Sequence, residues 1–148
     1  MIREIQVRDA QDLAYICSTS LGHNTTAALL EKRIGALSHN DNYRFLVYEN
    51  DSGHQVLGFI QAEKYNLLYG EDGWNIIALA VSPEARRQGI GRQLLSVLEA
   101  QAVQEGYAFI RLNCNIIRTE AHAFYQRMGY TCDKTQMRFI KKIGSGEV

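Results

Sequence analysis

Trp74-Asn-Ile-Ile-Ala-Leu-Ala-Val81-Ser-Pro-Glu-Ala-Arg86-Arg87-Gln88-Gly89-Ile90-Gly91-Arg92-Gln-Leu-Leu95 changes character twice within one stretch. Residues 74–81 are almost wholly apolar, the pattern of a strand covered on both faces at the centre of a sheet. Ser82-Pro83-Glu84 turns the chain. From about Gly91 a helix runs to Glu105, with Leu94, Leu95, Leu98 and Ala102 on its apolar face and Gly106 as its stop. Tyr107 to Asn113 reads as the next strand, so residues 74–113 predict a parallel pair joined by a right-handed crossover.

Elements on either side extend this unit. Residues 2–7 alternate as an opening strand. Asp9 is placed to cap a helix over roughly 10–20, and Thr25 or Thr26 to start a second through Leu29, Leu30, Arg33, Ile34 and Leu37. Tyr43 to Glu49 and Gln55 to Tyr65 flank the turn Asn50-Asp51-Ser52-Gly53 as a hairpin. Thr119 to Met128 is helical and stops at Gly129. Tyr130 to Cys132 and Met137 to Ile143 read as closing strands. The expected fold class is mixed α/β: a mostly antiparallel sheet with a central parallel pair and helices on both faces.

The chain has 148 residues, 16 basic and 16 acidic, and 46% hydrophobic residues. That length suits one domain, 1–148, and the composition is that of an ordered globular protein. Balanced charge argues against a nucleic-acid binder. No apolar run approaches the roughly 18–20 residues of a membrane span, and residues 1–7 lack a signal-peptide core. Cys17, Cys114 and Cys132 form no Cys-x-x-Cys pair, so a disulfide framework or a zinc site is not expected and a reduced, cytoplasmic setting is. No metal ligands are assigned.

The chemistry lies in the turn. A helix N-terminus leaves amide N–H groups unpaired and carries partial positive charge. Gly89 and Gly91 let the backbone curl toward a ligand, and Arg86, Arg87 and Arg92 add charge. Such a turn is an anion cradle suited to a phosphate or diphosphate. The spacing of a Walker loop is absent, and a dinucleotide fingerprint would need glycine where Leu94 stands.

Arg86-x-x-Gly89-x-Gly91, preceded by Leu79-Ala80-Val81-Ser82-Pro83, resembles the acetyl-coenzyme A signature of the GCN5-related N-acetyltransferases. Ala121-His122-Ala123-Phe124-Tyr125-Gln126-Arg127-Met128-Gly129-Tyr130 resembles that family's later segment, in the same order along the chain. The resemblance implies a sheet whose parallel pair is splayed, and acetyl transfer from acetyl-CoA to an amine by direct attack in a ternary complex. It assigns cofactor contacts to the amides of Arg87, Gln88, Gly89, Ile90, Gly91 and Arg92, with Arg86 beside them, and to the backbone of Leu79 and Val81. An amide near Ala80 is the expected oxyanion donor. Asn113, Arg118 and Phe124 join the cofactor-binding set. Tyr125 matches the tyrosine that protonates the leaving thiolate in many members.

Two departures stand out. The central strand offers Asn75 where many members carry a glutamate base, which leaves Glu63, Glu71, Asp72 or a water relay, with Glu63 named as the candidate. Arg118 stands where an asparagine is frequent. Tyr65, Tyr69 and Trp74 around Glu71-Asp72, with Thr19 to Thr26, are candidate walls for a cationic amine. His122 reads as structural. The competing readings are a non-catalytic acyl-CoA-binding sensor and a phosphate-binding α/β protein outside the family. No nucleic acid or membrane partner is expected, and a homodimer is left open.

Overall fold

The protein is described here from a computed structural model, over residues 1–146. Strands β1 (Ile2–Glu4), β2 (Tyr43–Glu49), β3 (Val56–Asn66), β4 (Asp72–Val81) and β5 (Phe109–Leu112) form one sheet in the order β1-β2-β3-β4-β5. The first three pairings are antiparallel and β4–β5 is parallel. Helices α1 (Ala10–Ser20), α2 (Ala27–Leu37), α3 (Ile90–Gln104) and α4 (Thr119–Arg127) complete the set, with single 3-10 turns at Val7–Asp9 and Pro83–Ala85.

The two sheet faces carry different helices. Phe59 of β3, Val47 of β2 and Ala80 of β4 pack with Leu13 and Ile16 of α1 and Ile34 of α2. On the opposite face Gly58 lies against Ile90 and Leu94 of α3. Leu94, Leu95 and Leu98 are fully buried, as their spacing requires. At about 25 cal/mol per Å² of apolar area, each contributes on the order of 2 kcal/mol.

β4 is irregular where the chemistry is expected. Gln61 pairs with Ala78 but Ala62 pairs with Ile76, so Ile77 is an extra, bulged residue. Pairing of β4 with β5 runs only from Gly73–Phe109 to Ile76–Leu112. From Ile77 onward β4 has a strand on one side only, among the described residues. The structure thus has the parting of the parallel pair that the resemblance implied.

Several local expectations are revised. Asp9 does not cap α1 through its side chain. Its carboxylate instead accepts from the Gln6 amide and both terminal nitrogens of Arg3. Thr26 is the cap of α2, its hydroxyl accepting from the Leu29 amide at 3.2 Å. The closing strands expected at 130–132 and 137–143 do not form: neither segment is in a ladder, and Met137, Phe139 and Ile143 are exposed. Alternation marks a chain able to pair, but a strand exists only with a partner.

The chain divides into two compact units, Met1–Asn113 and Cys114–Val148. The first holds the sheet and α1–α3, and the second holds α4. Among the described residues no helix is long and apolar enough to cross a membrane.

Candidate active site

In the first unit β4 delivers the chain into the glycine turn. Gly89 caps α3 with φ +78° and ψ 12°, and Arg87 has φ +64°. Two left-handed residues two apart curl the backbone so tightly that the amides before α3 fan outward. Gly89 has no Cβ, and the space one would occupy is empty to 4 Å. α3 has no side-chain cap, and its first helical bond is from Gln93 to the Gly89 carbonyl (3.0 Å). The amides of Ile90, Gly91 and Arg92 are therefore the open donors of a 15-residue helix. Arg86, Arg87 and Arg92 are exposed around them, and none forms an ion pair with a described residue. Open amides, helix polarity, empty space and three uncompensated cations fit a diphosphate.

The β4 edge beside this turn also has defined polarity. The Ser82 amide donates to the Leu57 carbonyl of β3 at 2.7 Å, so Ser82 faces β3. Register is regular from Gly58–Val81 to Gln61–Ala78. Backbone groups alternate along a strand, so Ala80 also faces β3, while Leu79 and Val81 turn to the side without a strand. This supports Leu79 and Val81 as backbone partners of an extended ligand. The amides near Ala80 that face the open side, and so remain candidate oxyanion donors, are those of Leu79 and Val81. One carbonyl on that side is already engaged: Ser20, at the end of α1, donates its hydroxyl to the Val81 carbonyl at 2.7 Å. Just beyond, Glu84 accepts from Ser82 Oγ and from the Tyr15 hydroxyl, which hold its carboxyl below the usual range.

Glu63 lies on the face shared with α1 and α2, level with Asn75 and Arg111. Asn75 Nδ2 donates to Glu63 Oε2 at 3.1 Å, and Arg111 donates to Asn75 Oδ1 at 2.6 Å. The guanidinium also donates to Asn113 Oδ1 at 2.9 Å and lies 4.7 Å from the centre of the Tyr65 ring. Arg111 is not among the residues expected from sequence. Its signal is present in the chain, since Asn75 and Arg111 interrupt the apolar runs of β4 and β5, and Asn113 follows directly after β5. Trp74 is not an acceptor wall: it is fully buried, beneath Arg44, with its indole N–H directed to Glu105 at 3.4 Å. Tyr69 and Glu71 remain exposed in the loop before β4.

In the second unit Tyr125 lies on α4 between two rings, 5.1 Å from Phe124 and 5.8 Å from Tyr130 by ring centres. Burial, and then the nearby Cys114, push its phenol up to about 12, while the charge of Arg118 acts in the opposite direction. The phenol therefore keeps its proton across the whole neutral range. Arg118 is exposed at the N-cap of α4. The His122 ring meets the Asn115 carbonyl at 2.8 Å. No group of three or more His, Cys, Asp or Glu side chains able to hold a metal occurs among the described residues.

These features coincide with the family match. Residues 6–130 match the model of the acetyltransferase (GNAT) family, and the chain belongs to that family. It is 34% identical over 108 residues, 72% of this chain, to an aminoalkylphosphonate N-acetyltransferase of Salmonella typhimurium. It spans 66% of that relative, just under two thirds of its length. The fold is shared with a transcriptional regulator from Bacillus halodurans C-125 (TM-score 0.83, 21% identity, covering 95% of this chain and 99% of that one). It is shared also with an aminoglycoside antibiotic 6'-N-acetyltransferase from Acinetobacter baumannii (TM-score 0.79, 20% identity, 97% and 99% covered).

Proposed function

We propose that the chain transfers an acetyl group from acetyl-CoA to a primary amine of a small molecule or peptide, by direct attack within a ternary complex. The observation that carries this is the β4–α3 turn, where open amides and unpaired arginines adjoin a strand edge free to pair. Acetyl-CoA supplies the activated thioester. The amides of Arg87 to Arg92, with Arg86, hold its diphosphate, and Leu79 and Val81 pair with its extended arm. Asn113, Arg118 and Phe124 complete the proposed cofactor contacts.

An alkylammonium loses its proton near pH ~10, so the acceptor must be deprotonated before it attacks. Glu63 is the proposed base, held toward one rotamer by Asn75. The amine lone pair forms the new C–N bond, the C–S bond breaks, and sulfur leaves with the electron pair. Negative charge gathering on the carbonyl oxygen is met by an amide on the open β4 edge. Tyr125 is the proposed partner of the leaving sulfur. A phenol pushed up to about 12 lies well above a thiol near ~8.5, so outright proton donation is uphill and a strong hydrogen bond to the thiolate is its better role. Holding both reactants in register is worth several kcal/mol of the barrier.

The test is calorimetric titration with coenzyme A and with ATP, followed by thiol release from acetyl-CoA over an amine panel. Coenzyme A should bind while ATP does not compete, and at least one amine should release thiol. Binding without release from any amine would favour a sensor. Absence of coenzyme A binding would remove the cradle assignment.

A further inference from the structure

Arg111 is held in place without being neutralised. Its two Asn partners, Asn75 and Asn113, are uncharged, and its face rests on Tyr65. It forms no ion pair with any described residue. A guanidinium has five N–H donors, and these bonds occupy two. The remaining three belong to a half-buried cation whose position is already set. The Asn75 amide cannot be turned around, because its oxygen faces a group that only donates and its nitrogen faces a carboxylate. Asn75 therefore separates two opposite poles, the Glu63 carboxylate and the Arg111 guanidinium, by the width of one amide. Both poles lie on the same sheet face, at the level where β4 and β5 begin to part.

We propose that Arg111 binds an anionic group of the acceptor. The substrate class is then a short amine that carries a carboxylate or a phosphonate, its ammonium toward Glu63 and its oxyanion toward Arg111. Planar, two-point recognition of such oxyanions is what a fixed guanidinium does best. A purely cationic amine would satisfy Glu63 and leave Arg111 without an anion. The proposal rests on the N-acetyltransferase reading for its chemistry, but the anion site itself can be tested without turnover.

The probes are 2-aminoethylphosphonate, 3-aminopropanoate and n-propylamine, matched in length and differing in the anion. Binding of each to the full chain is measured by calorimetry, and kcat/KM with acetyl-CoA by thiol release. At least one anionic amine should exceed n-propylamine by about tenfold or more in both measurements, and the stronger arm identifies the anion. Arg111→Gln should bring the ratio of anionic to neutral amine close to one. Arg111→Lys, which keeps the charge but not the fork, should retain part of it and carries the test if the glutamine variant fails to fold. Equal use of all three amines, an unchanged ratio in Arg111→Gln, or no binding of any probe at millimolar concentration would each overturn the proposal. If anionic amines bind through Arg111 but none is acetylated, the transferase reading fails and the anion site stands.

Discussion

Arginine is used in opposite ways at the β1 edge and at the turn that follows β4. At the β1 edge Arg3 donates to Asp9 Oδ1 at 2.8 Å, to Asp9 Oδ2 at 2.9 Å and to Glu49 Oε2 at 2.8 Å, and both carboxylates are buried. At the β4–α3 turn Arg86, Arg87 and Arg92 stand exposed with no acidic partner among the described residues. The first arrangement is complete in itself and fastens β1, β2 and the Val7–Asp9 turn together. The second has no internal counter-ion among the described residues, as the proposed diphosphate cradle requires. Positive charge alone thus says little about function, whereas the presence or absence of an internal counter-ion separates a structural rivet from a binding surface.

The sharpest break in this comparison is Arg3→Met. It removes the main partner of two buried carboxylates, leaving Asp9 the Gln6 amide and Glu49 the longer contacts to Arg8 and His54, and the expected loss is about 3 kcal/mol of unfolding free energy by urea denaturation. Coenzyme A affinity of the folded fraction should not change; a variant as stable as the parent would contradict the rivet. Next comes Gly89→Val. A branched residue in the left-handed region costs about 1–2 kcal/mol of backbone strain. Because no protein atom lies within 4 Å of the new Cβ position, the fold should persist while coenzyme A affinity falls about tenfold or more. Smaller again are Arg86→Gln and Arg92→Gln. Each should weaken coenzyme A binding roughly three- to tenfold at low salt, with the difference narrowing at high salt as exposed charges are screened. The smallest effect concerns pH. The hydrogen bond from Arg3, then its charge and those of Arg8 and His54, hold the Glu49 carboxyl below the usual range. A depressed carboxyl stabilises the fold above its unfolded value of ~4.3, and that stability is lost as pH falls toward the folded value. Glu49→Gln should flatten this acid limb of the stability curve without altering its slope above pH 6.

Much of this was legible in the chain and some was not, for identifiable reasons. The apolar run into Gly89-Ile90-Gly91 marked β4, its central place and the start of α3, because burial on both faces and a glycine turn leave a direct trace in composition. α1 spans residues 10–20 as its periodicity required. Asp9 was misassigned as a helix cap because its true partner, Arg3, is reached through tertiary folding rather than local geometry. Trp74 was placed in an acceptor wall because its flanking acids are adjacent in sequence, whereas its side chain turns into the core. The closing strands were expected from alternation, which reports the capacity to pair and not the partner. Arg111 escaped notice because its meaning depends on Asn75, 36 residues earlier, across a parallel pairing.

Gly73 gives the sheet a further property. A single methyl at that position would meet the Phe109 ring at 2.5 Å. That ring stands edge-on to Tyr65, 6.2 Å between centres, and Tyr65 is the plate on which the Arg111 guanidinium lies. The missing side chain at residue 73 therefore sets the height of an aromatic stack that ends in a cation. In the proposed acceptor site Gly73 would thus act at one remove, through the Phe109 and Tyr65 rings.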